Sequence, residues 1–232
     1  DLSMGGAQLA NVSENKSLGF NVEWEVTDAF DLSLDYHDSS AETRADSPYG
    51  SAGVLGVAAF VRGTTTADFS GDFPILNVQL PAGVNQVSPS QALVTGSVFQ
   101  NAYAKSDVEQ LQLKGRFEFG EFSGLDFGVS STEVNNRTAY AFMQRDTWGG
   151  VGTPADYADD IWSSDDMANY FGSFSGASSS NFTGDFLLFD FERLAARAAE
   201  LTGHPEWYRA PSVFEQDLRT KEKSDSAFVQ WS

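Results

Sequence analysis

Residues 21–40, "NVEWEVTDAFDLSLDYHDSS", alternate apolar and polar side chains on both sides of one small polar break. Reading outward from this stretch, Leu18, Phe20, Val22, Trp24 and Val26 share one face, with Gly19, Asn21, Glu23 and Glu25 on the other. After Thr27 and Asp28 the pattern restarts, and Phe30, Leu32, Leu34 and Tyr36 stand opposite Asp31, Ser33, Asp35 and His37. Successive side chains of an extended strand point to opposite faces, so two such runs across a tight turn predict a hairpin with one apolar face. What covers that face, a protein core or lipid, decides the fold.

The same period of two recurs further along. Leu111, Leu113, Gly115, Phe117 and Phe119 alternate with Gln110, Gln112, Lys114, Arg116 and Glu118. Past a short turn at residues 120–124, Leu125, Phe127 and Val129 continue it, and Ala227, Val229 and Trp231 close the series. Five strands are predicted, near residues 17–26, 29–38, 107–119, 125–141 and 224–232. Soluble sandwiches and membrane barrels both use this alternation. The connections separate them. Two tight turns alternate with two long segments, 39–106 and 142–223, although compact domains usually join elements with about 2–6 residues. Short turns at one end and long loops at the other are the asymmetry of an outer-membrane barrel. Trp24, Tyr36, Phe119 and Trp231 fall at strand ends, where an aromatic girdle belongs. The expected fold is all-β: an antiparallel up-and-down transmembrane β-barrel fragment of about five strands with long extracellular loops. Its apolar side chains face outward, and Glu23, Asp35, Lys114 and Arg116 face the lumen.

Composition removes several function classes. The 232 residues carry 33 acidic and 14 basic side chains, a net charge of -19. Phosphate backbones need clustered Lys and Arg, so no nucleic-acid partner is expected. Cysteine is absent and there are two histidines, His37 and His204, which leaves no thiolate chemistry and little material for a metal site; no cofactor is expected. The start, Asp1-Leu2-Ser3-Met4, lacks the basic and apolar regions of a signal peptide, and the chain is expected to be a mature product or a piece of a longer one. Adjacent carboxylates such as Asp159–Asp160 and Asp165–Asp166 point apart on a strand and do not give the facing pair a glycosidase needs. No G-x-S-x-G elbow occurs, and the "GGVG" stretch at 149–152 has no following Lys. No enzymatic activity is expected.

The segments "FNVEWEVTDAFDLSLDYHDSSAE", "VEQLQLKGRFEF", "LDFGVSSTEVNNRTAYAF", "RDTWGGVGTPADYADDIW" and "KSDSAFVQWS" resemble the barrel of proteobacterial TonB-dependent outer-membrane receptors. The resemblance spans nearly the whole chain and rests on the texture of several segments. It implies a barrel of ~22 strands closed around a plug, of which about a quarter is here. It also implies location in the bacterial outer membrane, contact with its lipid and with the remainder of the barrel, a transported nutrient, and a link to the TonB complex through a plug outside this chain. The bulky nutrient could be a siderophore, vitamin, oligosaccharide or peptide. A soluble extracellular β-domain that binds carbohydrate or another surface, without transport, is the alternative.

The long segments hold the candidate site. "GVLGVAAFVRGTTT" and "FPILNVQLPAGV" can form short strands within the first. In the second, "GDFLLFDFERLAARAAELTGHP" reads as one amphipathic helix covering the barrel mouth, with Asp185 as N-cap, Gly203 as stop, and Phe186, Phe189, Leu194 and Ala198 near one face. Between them, Trp148, Tyr157 and Trp162 are interleaved with Asp156, Asp159 and Asp160. Aromatic planes beside carboxylates suit a sugar or peptide ligand. Oxygen-rich acidic loops also suit Ca²⁺, but the spacing matches no EF-hand. A solvated acidic surface over buried tryptophans fits the same residues.

Overall fold

A computed structural model describes residues 2–61, 63–71, 74–84, 86–120, 123–171, 173 and 184–232. Among these residues the chain forms β1 (Leu2–Leu9), β2 (Asn11–Thr27), β3 (Phe30–Ala45), β4 (Ala52–Ala59), β5 (Thr64–Asp68) and β6 (Ile75–Gln79). Then follow β7 (Ala92–Glu118), β8 (Gly124–Asp146), β9 (Trp162–Asp166), α1 (Ala168–Phe171), β10 (Asp185–Phe189), α2 (Phe191–Thr202) and β11 (Gln216–Trp231). The strand pairings among the described residues are antiparallel. The protein is therefore all-β with antiparallel sheets. No closed barrel forms among the described residues, and β2 and β11 each keep one unpaired side. The chain divides into two compact units, residues 1–9, 48–100 and 142–211 in one, and 10–47, 101–141 and 212–232 in the other.

The second unit is a meander in the order β2-β3-β7-β8-β11. Trp24 sits opposite Leu32, Val22 opposite Leu34 and Phe20 opposite Tyr36; Leu34 in turn faces Leu113, and Phe127 faces Val229. A register slip of one residue would send each apolar side chain to the other face, so the shared alternation fixes the pairing. The β2–β3 turn is Asp28-Ala29, closed by the Ala29 N–H donating to Thr27 Oγ1 at 3.3 Å. At the β7–β8 turn the Phe119 N–H donates to the Ser123 carbonyl at 2.9 Å. Both tight turns therefore lie at one end of the meander. The ends where β3 and β8 leave, and where β7 and β11 enter, lie at the other.

The first unit is a sheet of β1, β4 and the start of β7 packed under small elements. The odd-numbered face of β4, Leu55, Val57 and Ala59, is buried together with Val94 and Phe99 of β7. Leu194, Ala195 and Ala198 of α2, Leu187 of β10 and Tyr208 complete that core. Each buried Leu, Val or Phe side chain of this core is worth about 1.5–3 kcal/mol of apolar burial.

Several expectations are corrected here. The segment 39–106 is largely strand: β3 runs on to Ala45, β7 begins at Ala92, and β4 pairs with both β1 and β7. The stretch predicted as one helix from Asp185 is two elements. Asp185–Phe189 is β10, paired with β9, and α2 begins only at Phe191. Its N-cap is Asp190, whose side chain accepts the Arg193 N–H at 3.0 Å. Gly203, in the left-handed region at φ 70°, closes α2 as expected.

Candidate functional site

The meander has one apolar face that nothing in its unit covers. Leu18, Phe20, Val22 and Trp24 of β2, Leu111, Leu113 and Phe117 of β7, Val129 of β8 and Val229 of β11 are all exposed, Val229 at 73% and Trp231 at 70%. Solvent-exposed apolar patches on a monomer seldom exceed about 300–600 Å², and five adjacent strands contribute to this one. Aromatic rings mark its two limits. Near the tight turns Phe119 meets Trp231 edge-on at 4.8 Å, and Phe30 lies 6.3 Å from both Phe117 and Phe127. Six residues along β3, Tyr36 stacks on Phe20 at 5.4 Å. At ~3.3 Å per residue the turn-side rings and the Phe20–Tyr36 pair are about 20 Å apart along the strand. The next position on this face beyond Tyr36 is Asp38, paired with Glu109.

The opposite face of the same rungs is polar apart from Phe228. Arg116 donates to both oxygens of Asp126 at 3.1 Å and to Glu118 at 3.0 Å, and Asn21 reaches Asp35 at 3.4 Å. Glu23, Glu25, Asp31 and Lys114 line the same hollow, of about 780 Å³.

The acidic aromatic loop, in the first unit, does not converge on one site. Tyr157 and Trp162 are core residues, 3% and 7% exposed, packed edge-on at 6.3 Å. Tyr157 donates its hydroxyl to the Val151 carbonyl at 2.8 Å, and burial raises its pKa well above the ordinary tyrosine value. Asp156 is a cap: the backbone N–H and hydroxyl of Thr153 both donate to it at 2.7 Å and hold its pKa low. Asp160 pairs with Arg193 of α2 at 2.8 Å, which lowers its pKa too. Asp159 is exposed in a 3-10 turn. Among the described residues no group of three or more His, Asp or Glu side chains is placed to hold a metal ion. His204 stacks on Trp207 at 3.9 Å and pairs with Glu206.

Trp148 is the exception. It is 88% exposed and stands beside a groove of about 400 Å³ in the first unit. Gly56 and Gly96, directly paired, lie in its floor, and Phe60, Val54 and Asp146 border it. An open indole over bare backbone can stack a flat ring or the apolar face of a sugar. The aromatic pattern singled out Trp148, but Phe60 and the glycine pair escaped it. The cue available in the sequence was glycine recurring inside strands at Gly5, Gly56 and Gly96, where close approach of another group is the usual reason. Compared with known proteins, the chain matches no family model, no curated protein and no solved structure.

Proposed function

We propose that this chain forms part of the wall of an outer-membrane β-barrel transporter of the TonB-dependent kind, importing a bulky nutrient. The observation that carries the reading is the apolar face of the β2-β3-β7-β8-β11 meander, exposed, with aromatic rings clustered near the tight turns and the Phe20–Tyr36 pair of β2 and β3 at its other end. An outward apolar face flanked by aromatic residues is what lipid selects on a transmembrane barrel. Glu23, Asp35, Lys114 and Arg116 then line the lumen, and further strands pair with the open sides of β2 and β11, because an unpaired edge is not tolerated in lipid. Coupling to the TonB complex runs through a plug supplied from outside the described strands. Ligand contact from this chain falls to Trp148, since Tyr157 and Trp162 are spent on packing.

The absence of cysteine gives a clean test. Single cysteines at Val22, Leu34, Leu113 and Val229, labelled with a fluorophore in reconstituted vesicles, should be quenched by a lipid-soluble quencher. Cysteines at Glu23, Asp35 and Lys114 should respond to an aqueous one. Equal aqueous quenching at both sets would reject the membrane reading and favour a soluble domain.

A further inference from the structure

One side of α2 is bare. Ala196, Ala199 and Gly203 follow one another at i, i+3 and i+7, so the side they share carries nothing larger than a methyl group. A Cβ added at Gly203 would meet nothing within 4 Å. The space left beside the helix is a hollow of about 390 Å³, which Tyr49 and Tyr208 also line, together with the exposed Glu200 and Arg209. All of these residues belong to the first unit. The volume lies in the range of small-molecule sites, about 300–1,000 Å³.

Two polar groups of the hollow lack partners. Tyr208 is 2% exposed, and its hydroxyl makes no hydrogen bond among the described residues, yet it is not sealed off from solvent. A buried tyrosine hydroxyl normally finds a partner. Tyr157, in the same core, does so by donating to the Val151 carbonyl at 2.8 Å. For Tyr208 the hollow is where a partner can stand. Arg209 makes no ion pair among the described residues, whereas Arg193 holds Asp160 and Arg197 holds Glu200. Its guanidinium is close enough to the Tyr49 hydroxyl to oppose the rise in pKa that burial and Glu192 cause there.

The charges select the ligand. The planar guanidinium of Arg209 suits a carboxylate. Glu200 gives one oxygen to Arg197 at 2.6 Å and keeps the other for a donor such as an ammonium group. A plain carboxylate is attracted by Arg209 and repelled by Glu200, and a plain amine meets the reverse. A small molecule carrying both groups is favoured by both. The methyl-sized side of α2 and the tyrosine rings then accept an apolar stem, and Tyr208, the deepest polar group, needs a hydrogen-bonding end to that stem.

We propose that the hollow beside α2 binds a free α-amino acid whose apolar side chain ends in a hydrogen-bonding group. Arg209 takes its carboxylate, Glu200 its ammonium and Tyr208 the far end of its side chain. The site stands independently of the membrane reading. The test is calorimetric titration of the full chain, in neutral detergent micelles at neutral pH. The probes are L-tyrosine, L-phenylalanine, tyramine (no carboxylate) and hydroxyphenylpropanoate (no ammonium). L-tyrosine should bind at least tenfold more tightly than tyramine or hydroxyphenylpropanoate, and severalfold more tightly than L-phenylalanine. Arg209→Gln should remove the advantage over tyramine, Glu200→Gln the advantage over hydroxyphenylpropanoate, and Tyr208→Phe the advantage over L-phenylalanine. Ala196→Leu fills the hollow and should remove binding of all four. Lys223→Gln, an equal change of charge on β11, should leave the series unaltered. Failure of L-tyrosine to bind would overturn the proposal. So would tyramine or hydroxyphenylpropanoate matching it, or the same losses with Lys223→Gln. The four-probe series needs only the unaltered chain, so it decides even where a variant fails to fold.

Discussion

Trp148 and Trp162 belong to one acidic aromatic loop and have opposite surroundings, 88% against 7% exposed. Their truncation should therefore separate ligand contact from packing. Trp162→Ala opens a cavity against Tyr157 and Phe189 and should cost about 3–5 kcal/mol in urea unfolding. Trp148→Ala should change stability by less than about 0.5 kcal/mol. On the proposed transport reading, Trp148→Ala in the whole receptor should weaken uptake severalfold, since a lost stacking contact is worth ~0.5–1.5 kcal/mol. Unchanged uptake with normal assembly would leave Trp148 without a role in the ligand. Tyr157 gives a pH dependence of definite sign. Burial keeps its hydroxyl protonated in the folded chain, while the unfolded chain ionises near pH ~10. Its contribution is present below that pH and is lost as pH rises through it, because the unfolded state then binds fewer protons. Tyr208, also buried, adds in the same direction. Stability measured from pH 9 to 11 should fall, and fall less steeply in Tyr157→Phe.

At the scale of elements, the boundary between β10 and α2 can be checked by two aspartates five residues apart. Asp190 caps the helix, so Asp190→Ala should cost about 0.5–2 kcal/mol. Asp185 lies in β10 opposite Asp166, where like charges repel across the pair. Asp185→Ala should be neutral or slightly stabilising, and a loss equal to that of Asp190→Ala would return the helix start to Asp185. The sequence reads as helix from Asp185 because Phe186, Phe189, Leu194 and Ala198 fit a helical spacing, yet "DFLLF" is also a short apolar run that periodicity cannot assign. Pairing with β9 decides it, and that partner is 19 or more residues away in sequence. The lower halves of β2, β3, β7, β8 and β11 were legible because one face is apolar and the other polar. The upper part of β7 was not. Val94 and Phe99 are buried, Val98 also lines a groove, and Thr95 and Gly96 sit at a register shift, so no alternation survives. β1, "LSMGGAQL", hides for a similar reason, its glycines and alanine giving no contrast between faces.

At the scale of the whole molecule, the meander leaves a large apolar face open while the chain carries a net charge of -19. A soluble protein would hide such a face in a core, as the first unit does with Leu55, Val57 and Phe99. Lipid makes the exposure favourable, and makes a charge there costly. Leu113 stands at mid-band, opposite Leu34, which faces Val22. Its neighbour Gln112 stands on the polar face, opposite Asp35. Leu113→Arg and Gln112→Arg change the net charge equally and sit one residue apart in one strand, so local propensity and composition are matched. An arginine at the bilayer midplane costs about 2–4 kcal/mol on the lipid face, and beside Asp35 on the polar face it gains a partner. On the proposed membrane reading, Leu113→Arg expressed within the whole receptor should therefore lose most of the folded, membrane-embedded form, whereas Gln112→Arg should assemble like the unaltered protein. The readout is the folded fraction in isolated outer membranes. Equal assembly of both variants would mean that this face does not meet lipid, and a reversed order would mean that the two faces of the sheet are exchanged.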